Sequence, residues 1–479
     1  MKNALIVLGG VCFVAGLAVA CGDNKVDTNQ FDNAVPGGGG TTGGGGFTGT
    51  TGGSATSGTG GTTTGGGGFM SGTGGSDPSG PCVDHPGVDD DHDGWTEAEG
   101  DCNDCNPGMN PGAIETINCE MNDCTMGMPL PAADQIDEDC DGKVMQPGEK
   151  AAVCDGDLTT KPSIDSAFDA ARAIGLCNVK IAAEPAEKKD RKWGVLDAKF
   201  VHLGASVLQG QDAPYVKGEF GILPSFGPAT KAQEGQMLLA LSSGVARAPG
   251  QPDYKGGGCS LGSSITKGGT DKFPSGKWPK AGTCPGAGNP NDAAALDLKV
   301  RVPTNAKSMG FRMRFFSCEY PDYTCSAFND VFAVLVAPLN GADSNTIFDG
   351  AARKPAADVL PTTDPMYPNV AFEVAGMNKN VIGVNNQSFF TVCKPGPAGY
   401  TQCGKGPIAD LNGTGFEGHA ASGWLETRYP VTGGGVYIMR IAIWDSTDNQ
   451  LDSTAVMDAV TFYADGGSKV ETVIVPEPE

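Results

Sequence analysis

Positive charge is scarce in this chain of 479 residues. Lysine and arginine total 33 against 56 aspartates and glutamates, a formal net charge of −23. That balance excludes binding to nucleic acid or an anionic lipid surface by charge alone. Histidine is scarcer still, with four residues. Only His202 and His419 lie outside an acidic stretch, so the rest of the chain has few candidates for a histidine base. Beyond the first twenty residues no segment is apolar enough to cross a membrane. No glycine-rich phosphate loop follows a strand pattern. Glycine and proline are in excess, at 73 and 33 residues. Such a composition suits loops, linkers and short strands better than helices.

The first twenty residues read as an export signal. Lys2 is the charged start, and an apolar run from Ala4 to Ala20 is broken only by glycines. It ends in Leu17-Ala18-Val19-Ala20-Cys21. This resembles the lipobox cleaved by bacterial lipoprotein signal peptidase, with the leucine one place further out than usual. The resemblance implies a lipid on Cys21 and a membrane partner reached through that anchor. The expected location is the bacterial cell envelope, at the outer membrane or cell surface. An uncleaved anchor and an ordinary cleaved signal peptide are the alternatives.

Residues 21–80 read as a disordered tether. From Gly37 onward the chain is almost entirely Gly, Thr and Ser, and the stretch 41–47 returns in degenerate form at 63–69. Nothing in it can bury a core. Residues 81–149 differ sharply. From Cys82 to Glu149 there are 18 acidic residues against one basic residue, Lys143. A segment this polar collapses only with disulfides, metal or both.

The strongest chemical signal is Asp89-Asp90-Asp91-His92-Asp93-Gly94. Alternate residues place the carboxylates of Asp89, Asp91 and Asp93 on one side of a tight loop, and Gly94 permits the turn. A hard cation such as Ca²⁺ takes six to eight oxygens. The twelfth loop position is Gly100 rather than the glutamate of an EF-hand. Asp101, with the Trp95 carbonyl, can complete a first site, and Asn103 and Asp104 can feed another. A second loop, Asp137-Glu138-Asp139-Cys140-Asp141-Gly142, supplies Asp137, Asp139 and Asp141 for a second cation. Between them runs Asn106-Pro107-Gly108-Met109-Asn110-Pro111-Gly112-Ala113-Ile114-Glu115.

Taken in order, these submotifs resemble the metal-binding motif of surface proteins from myxobacteria and related bacteria. They are also similar to the calcium-binding type 3 repeats of thrombospondin. Cys105, Cys119 and Cys124 depart from that pattern and leave the pairing open. Calcium is the favoured ion. Zinc or another transition metal on Cys102-x-x-Cys105 and Cys119-x4-Cys124, or a bare solvated acidic linker, are the alternatives.

Residues 150–467 read as one β-rich domain, followed by a polar tail over 468–479. One helix is expected from Ile164 to Ile174, with Ser163 as cap and Gly175 as stop. Beyond it the period is two. Leu296, Leu298, Val300 and Val302 alternate with Asp297, Lys299 and Arg301, and Phe311, Met313 and Phe315 with Arg312 and Arg314. Residues 331–336, 370–374, 436–444 and 455–462 also read as strands. The expected fold is mainly β, an antiparallel sandwich or jelly roll. After export, disulfides are the default. Sequence order suggests Cys154–Cys177, Cys259–Cys284, Cys318–Cys325 and Cys393–Cys403.

Two stretches carry a resemblance. Phe315-Phe316-Ser317-Cys318-Glu319-Tyr320-Pro321-Asp322-Tyr323 leads into Phe328-Asn329-Asp330-Val331-Phe332, and Ile443-Trp444-Asp445 precedes Asp448-Asn449-Gln450-Leu451-Asp452-Ser453. With Val381-Ile382-Gly383-Val384-Asn385-Asn386 between them, they resemble the choice-of-anchor L domain of bacterial surface proteins over most of residues 160–465. The resemblance implies a surface protein and no reaction. The same residues suggest a further oxygen-rich metal site from Glu319, Asp330, Asp445, Asp448 and Asp452, against plain turn chemistry.

A catalytic set is missing. Gly258-Cys259-Ser260-Leu261-Gly262 fits GxSxG, but its flanks are Gly/Pro turns rather than a strand and a helix. The reading is a non-enzymatic surface lipoprotein for adhesion or display, with a surface protein or polysaccharide as partner. An envelope hydrolase or carbohydrate-active domain is the alternative.

Overall fold

The computed structural model describes residues 82, 85–116, 135–145, 153–158, 166–201, 217–254, 259, 284–285, 290–338, 382–384, 390–393, 408–448, 450–464 and 471–475. All of them fall in one compact unit, Pro78–Glu479. The expected strand at 370–374, the signal and the tether lie outside the described residues. So do Cys21, Cys119, Cys124, His202 and Cys403.

Among the described residues one α-helix, α1, covers Ala167–Ala173. It ends at Gly175, whose φ of 95° favours glycine. Expected Ser163 and Ile164 lie outside the described residues, and Ser166 stands at the N-cap. Ala167, Ala170, Ala171 and Ala173 are buried against the sheets.

Fifteen strands follow among the described residues. They are β1 Gly194–Val201, β2 Phe220–Leu223, β3 Ser225–Phe226, β4 Thr230–Lys231 and β5 Leu238–Ser242. Next come β6 Pro290–Arg301, β7 Ser308–Ser317, β8 Val331–Pro338, β9 Ile382–Gly383 and β10 Phe390–Cys393. The last five are β11 Ala420–Ser422, β12 Trp424–Pro430, β13 Val436–Ser446, β14 Ser453–Tyr463 and β15 Glu471–Val475. One antiparallel sheet has the order β1-β6-β13-β8-β9, and the other β10-β11-β7-β14-β5-β2, with β12 joining β7 to β15. Strands β3 and β4 form a separate hairpin.

The two sheets pack as a sandwich. Leu296, Leu298 and Val300 of β6 and Met439, Ile441 and Ile443 of β13 meet Phe311, Met313 and Phe315 of β7 in one core. Each such side chain contributes about 1.5–3 kcal/mol through burial. The larger sheet is covered on its other face too, where Phe226, Leu238, Phe316, Leu411, Phe416 and Trp424 form a second cluster. The alternation read from sequence therefore marks two buried faces rather than a wet and a dry one. Asp297, one of the polar residues of that alternation, is buried and pairs bidentately with Arg440 of β13 at 2.6 and 2.7 Å. Residues 471–475, read as part of a polar tail, form β15 on β12. There Thr472 is buried and shares a hydroxyl hydrogen bond with Thr427 at 2.9 Å.

Candidate metal centre

The two DxDxDG segments fold alike. In the first, Gly94 N–H donates to Asp89 Oδ2 at 2.9 Å, Asp93 N–H to Asp91 Oδ1 at 3.0 Å and Trp95 N–H to Asp93 Oδ1 at 2.8 Å. In the second, Gly142 N–H donates to Asp137 Oδ2 at 2.9 Å, Asp141 N–H to Asp139 Oδ1 at 3.2 Å and Lys143 N–H to Asp141 Oδ1 at 2.9 Å. The fourth and sixth residues of each loop have positive φ: His92 66° and Gly94 95°, Cys140 58° and Gly142 84°. Side-chain-to-backbone bonds of this kind are what aspartate at two-residue spacing offers a tight turn.

The carboxylates gather in three groups whose oxygens lie within 4.8 Å of one another: Asp89, Asp91 and Asp104; Asp91, Asp93 and Asp101; and Glu115, Asp137 and Asp139. Asp91 is shared by the first two. Asp89 Oδ1, Asp91 Oδ2, Asp101 Oδ2 and Asp104 Oδ2 are buried and accept no hydrogen bond. Burial pushes Asp93 and Asp101 up to about 6, and the Asp91 charge adds to both. Asp91 and Asp104 rise for the same first cause. Such orphaned oxygens in a native fold call for a partner, and a hard cation fits an all-oxygen set.

Of the other expected ligands, Asn103 turns its amide to Met109 Sδ at 3.5 Å. Trp95 is buried, with Lys188 Nζ 5.4 Å from its ring centroid. Asp141 is held by Lys143 Nζ at 2.7 Å rather than joining Asp137 and Asp139. Its place is taken by Glu115, which accepts the N–H groups of Glu138 and Asp139 at 2.8 and 3.0 Å. Sequence reasoning missed Glu115 as a ligand. The only signal for it was its position closing the segment between the loops. Disulfides Cys82–Cys105 and Cys102–Cys140 hold the module. Each sulfur of the Cys102-x-x-Cys105 pair is thereby consumed, which leaves neither as a zinc thiolate.

The module is joined to the sandwich. Asn110, fully buried, donates to Asp93 Oδ2 at 2.6 Å and accepts the Thr304 hydroxyl at 2.7 Å. Thr304 N–H donates to Gly112 O at 3.0 Å, Ile114 N–H to Asn305 Oδ1 at 3.0 Å and Lys188 Nζ to Glu99 at 2.6 Å. A Cβ on Gly112 would stand 2.9 Å from Thr304 Cγ2, so the close approach uses the missing side chain. A cleft of about 420 Å³ follows this seam, lined by His92 and Trp95 on one side and Lys188, Trp193 and Arg301 on the other.

The strand-end carboxylates lie at the other candidate site. Glu319 follows β7, Asp330 precedes β8, Asp445 is in β13, and Asp448 and Asp452 are in the turn to β14. Glu319, Asp330, Asp445 and Asp452 are buried, Asp448 half-buried. Among the described residues no three of them bring ligand oxygens within 4.8 Å of one another, so they do not fit a shared cation.

Residues 241–463 match the family of the Choice-of-anchor L domain. The span runs from β5 to the end of β14. It contains all five strand-end carboxylates, leaves the acidic module outside, and is shorter than the 160–465 expected. No curated protein matches the chain. Among solved structures, the crystal structure of the K2 cleaved adhesin domain of Lys-gingipain is similar at 10% identity. The alignment covers 56% of this chain and 97% of that chain with a TM-score of 0.19, too low to speak to fold or function.

Within residues 241–463 the described disulfides are Cys259–Cys318 and Cys284–Cys325. The expected Cys259–Cys284 and Cys318–Cys325 pairs are therefore wrong. The sulfur of Cys318, which follows β7, is engaged by distant Cys259, and Cys325, with φ 60°, belongs to Cys284. Loop-closure cost grows slowly with length, so nearness in sequence is a weak guide. Cys154–Cys177 forms as expected, and Cys393–Cys403 lies outside the described residues. Of the GxSxG stretch only Cys259 is described, and it is in a disulfide. His419 places Nδ1 3.0 Å from the Tyr320 carbonyl. Among the described residues no helix is long and apolar enough to cross a membrane.

Proposed function

We propose that the chain is a non-enzymatic lipoprotein of the bacterial cell surface, held through a lipid on Cys21. It presents the choice-of-anchor L sandwich for adhesion or display toward a surface protein or polysaccharide. The acidic module, residues 81–149, holds Ca²⁺ and forms a metal-set collar at the base of the sandwich.

The observation that carries the calcium reading is the set of four buried, unpartnered oxygens on Asp89, Asp91, Asp101 and Asp104. Eighteen acidic residues against one basic residue repel one another. A divalent ion shared by several carboxylates removes that repulsion and crosslinks loops with little apolar surface. Metal binding is then coupled to folding. The lipobox and tether support the anchor, with roughly 0.8 kcal/mol of membrane affinity per buried CH₂.

Limited proteolysis of the mature protein tests the calcium reading. With chelator, cleavage should concentrate in residues 82–149. Ca²⁺ should restore protection better than Mg²⁺, which keeps its waters and octahedral geometry. The Asp91→Ala, Asp93→Ala double variant should be cut even with Ca²⁺ present. Equal resistance of metal-free and Ca²⁺-loaded wild type would mean that the disulfides alone hold the module. The anchor is tested separately: Cys21→Ser should lose fatty-acid labelling and membrane association, and retention of both would refute the lipobox reading.

A further inference from the structure

Positive charge, scarce in this chain, gathers in the cleft between the acidic module and the sandwich. Lys188, Arg191 and Arg301 line it against one carboxylate, Asp93, in a chain of 33 basic and 56 acidic residues. A short 3₁₀ turn, Lys188–Asp190, sets two of the three cations. Side chains three residues apart on such a turn eclipse one another, which brings Lys188 and Arg191 to the same wall. The Arg191 N–H closes the turn on the Lys188 carbonyl at 2.8 Å.

The seam does not neutralise this charge. Lys188 Nζ is paired with Glu99 at 2.6 Å and lies over the Trp95 ring. Arg191 and Arg301 have no carboxylate partner among the described residues. Arg301, 4% exposed, ends β6 and turns its guanidinium to neutral groups. It donates to the carbonyls of Ala182, Ala183 and Lys192, and its Nε is buried with no hydrogen-bond partner. Burial, then the Arg191 charge, lower Arg301 from its ordinary value, with Glu184 opposing them. Like charges brought together without a counterion in a half-dry cleft are costly. An anion seated there relieves both.

The walls select among anions. Trp193, half-buried, lines the cleft, and its ring is braced by Phe462 edge-on at 5.6 Å. An indole gives a flat apolar surface on which the C–H face of a sugar ring can lie, while its N–H remains a polar handle. Thr304 and Gly433 form part of the lining too. A Cβ on Gly433 would stand 1.8 Å from the Thr304 carbonyl oxygen, so that wall stays bare of side chains. The volume of about 420 Å³ falls among ligand pockets. An aromatic wall, a bare polar wall and unmatched guanidinium charge together fit a sugar that carries a carboxylate.

We propose that this cleft binds the uronic-acid residues of an acidic polysaccharide, with Arg191 taking the carboxylate, Trp193 the sugar face, and Arg301 adding its charge from within the fold. The proposal rests on the display and adhesion reading and narrows its partner. Neither the lipid on Cys21 nor the number of bound calcium ions enters it.

Titration calorimetry of the mature full chain, kept in Ca²⁺, tests it. The probes are tetrasaccharides of hyaluronan, polygalacturonate and alginate, their carboxyl-reduced forms, and tetraglutamate. At least one acidic tetrasaccharide should bind with a Kd below about 1 mM. Its carboxyl-reduced form should bind about tenfold more weakly or not at all, and added salt should weaken the acidic form. Arg191→Ser should weaken that binding by about tenfold and Arg191→Glu by more. Trp193→Leu should weaken it as well. Melting shows whether each variant folds. If Trp193→Leu does not, the Arg191 variants decide, since among the described residues that side chain holds no hydrogen bond the fold would lose. No binding of any acidic tetrasaccharide, equal binding of its reduced form, preference for tetraglutamate, or Arg191 variants equal to wild type would each overturn the cleft. Protease protection of residues 82–149 and fatty-acid labelling of Cys21, read on the same protein, show whether the wider reading stands when the cleft fails.

Discussion

Asn110 donates its side-chain amide to Asp93 at 2.6 Å from a position where nothing of it reaches solvent. Its other end receives the Thr304 hydroxyl. One amide thus orients a loop carboxylate and fastens the acidic module to the sandwich. Asn110→Ala removes both bonds, together with the one its Oδ1 accepts from Gly112 N–H at 3.0 Å, and should cost about 1–3 kcal/mol. Calcium affinity at the first loop should fall by about tenfold, read by titration calorimetry against wild type. Thr304→Val, which breaks only the link to the sandwich, should leave that affinity nearly unchanged.

The carboxylates give a pH dependence of definite sign. Asp93 and Asp101 are pushed up to about 6 in the metal-free fold, by burial first, from an ordinary 3.8. The folded module holds these protons more tightly than the unfolded chain. Their contribution without metal is therefore fully present below about pH 4 and lost as pH rises through 6. Calcium needs them ionised, so its affinity should fall as pH drops below 6. Melting of the chelated and Ca²⁺-loaded protein from pH 4 to 8 should show opposite trends.

Arg440 and Asp297 are a buried pair on neighbouring strands. Asp297→Asn or Arg440→Leu alone leaves one charge uncompensated and should cost about 3–5 kcal/mol. In a domain of this size that is a melting drop of about 10 °C. Replacing both, as Asp297→Leu with Arg440→Met, should cost less than either single change. Thermal melting of the four proteins checks this.

Cys102–Cys140 closes a stretch of 38 residues that brings the two acidic loops together. Cys102→Ser with Cys140→Ser should cost about 2–5 kcal/mol. It should also lower calcium affinity at the Glu115, Asp137, Asp139 group more than at Asp89 and Asp91, whose spacing is local. Calcium titration of the variant, with and without Asp137→Ala, separates the two.

What was legible in the sequence was local. Asp89, Asp91 and Asp93 declare their loop by spacing alone, and Leu296, Leu298 and Val300 declare a strand. Glu115 was not legible as a partner of Asp137 and Asp139, because their meeting depends on a fold stapled at Cys102 and Cys140. Asp141 fits the motif yet is captured by Lys143 two residues away. The buried outer position of Asp297 was hidden for a similar reason: its partner Arg440 is 143 residues distant. The disulfides Cys259–Cys318 and Cys284–Cys325 are likewise products of topology, which nearest-neighbour counting cannot see.

The central claim is that calcium organises residues 82–149. Amide hydrogen exchange over residues 85–116 and 135–145, in the mature protein with Ca²⁺ and with chelator, tests it most directly. Slow exchange at Asp93, Gly94, Trp95, Asp141 and Gly142 with Ca²⁺, lost on chelation while β6, β7, β13 and β14 stay protected, is the expected result. Equal protection of both loops in the two conditions, in protein shown to be metal-free, would contradict the account.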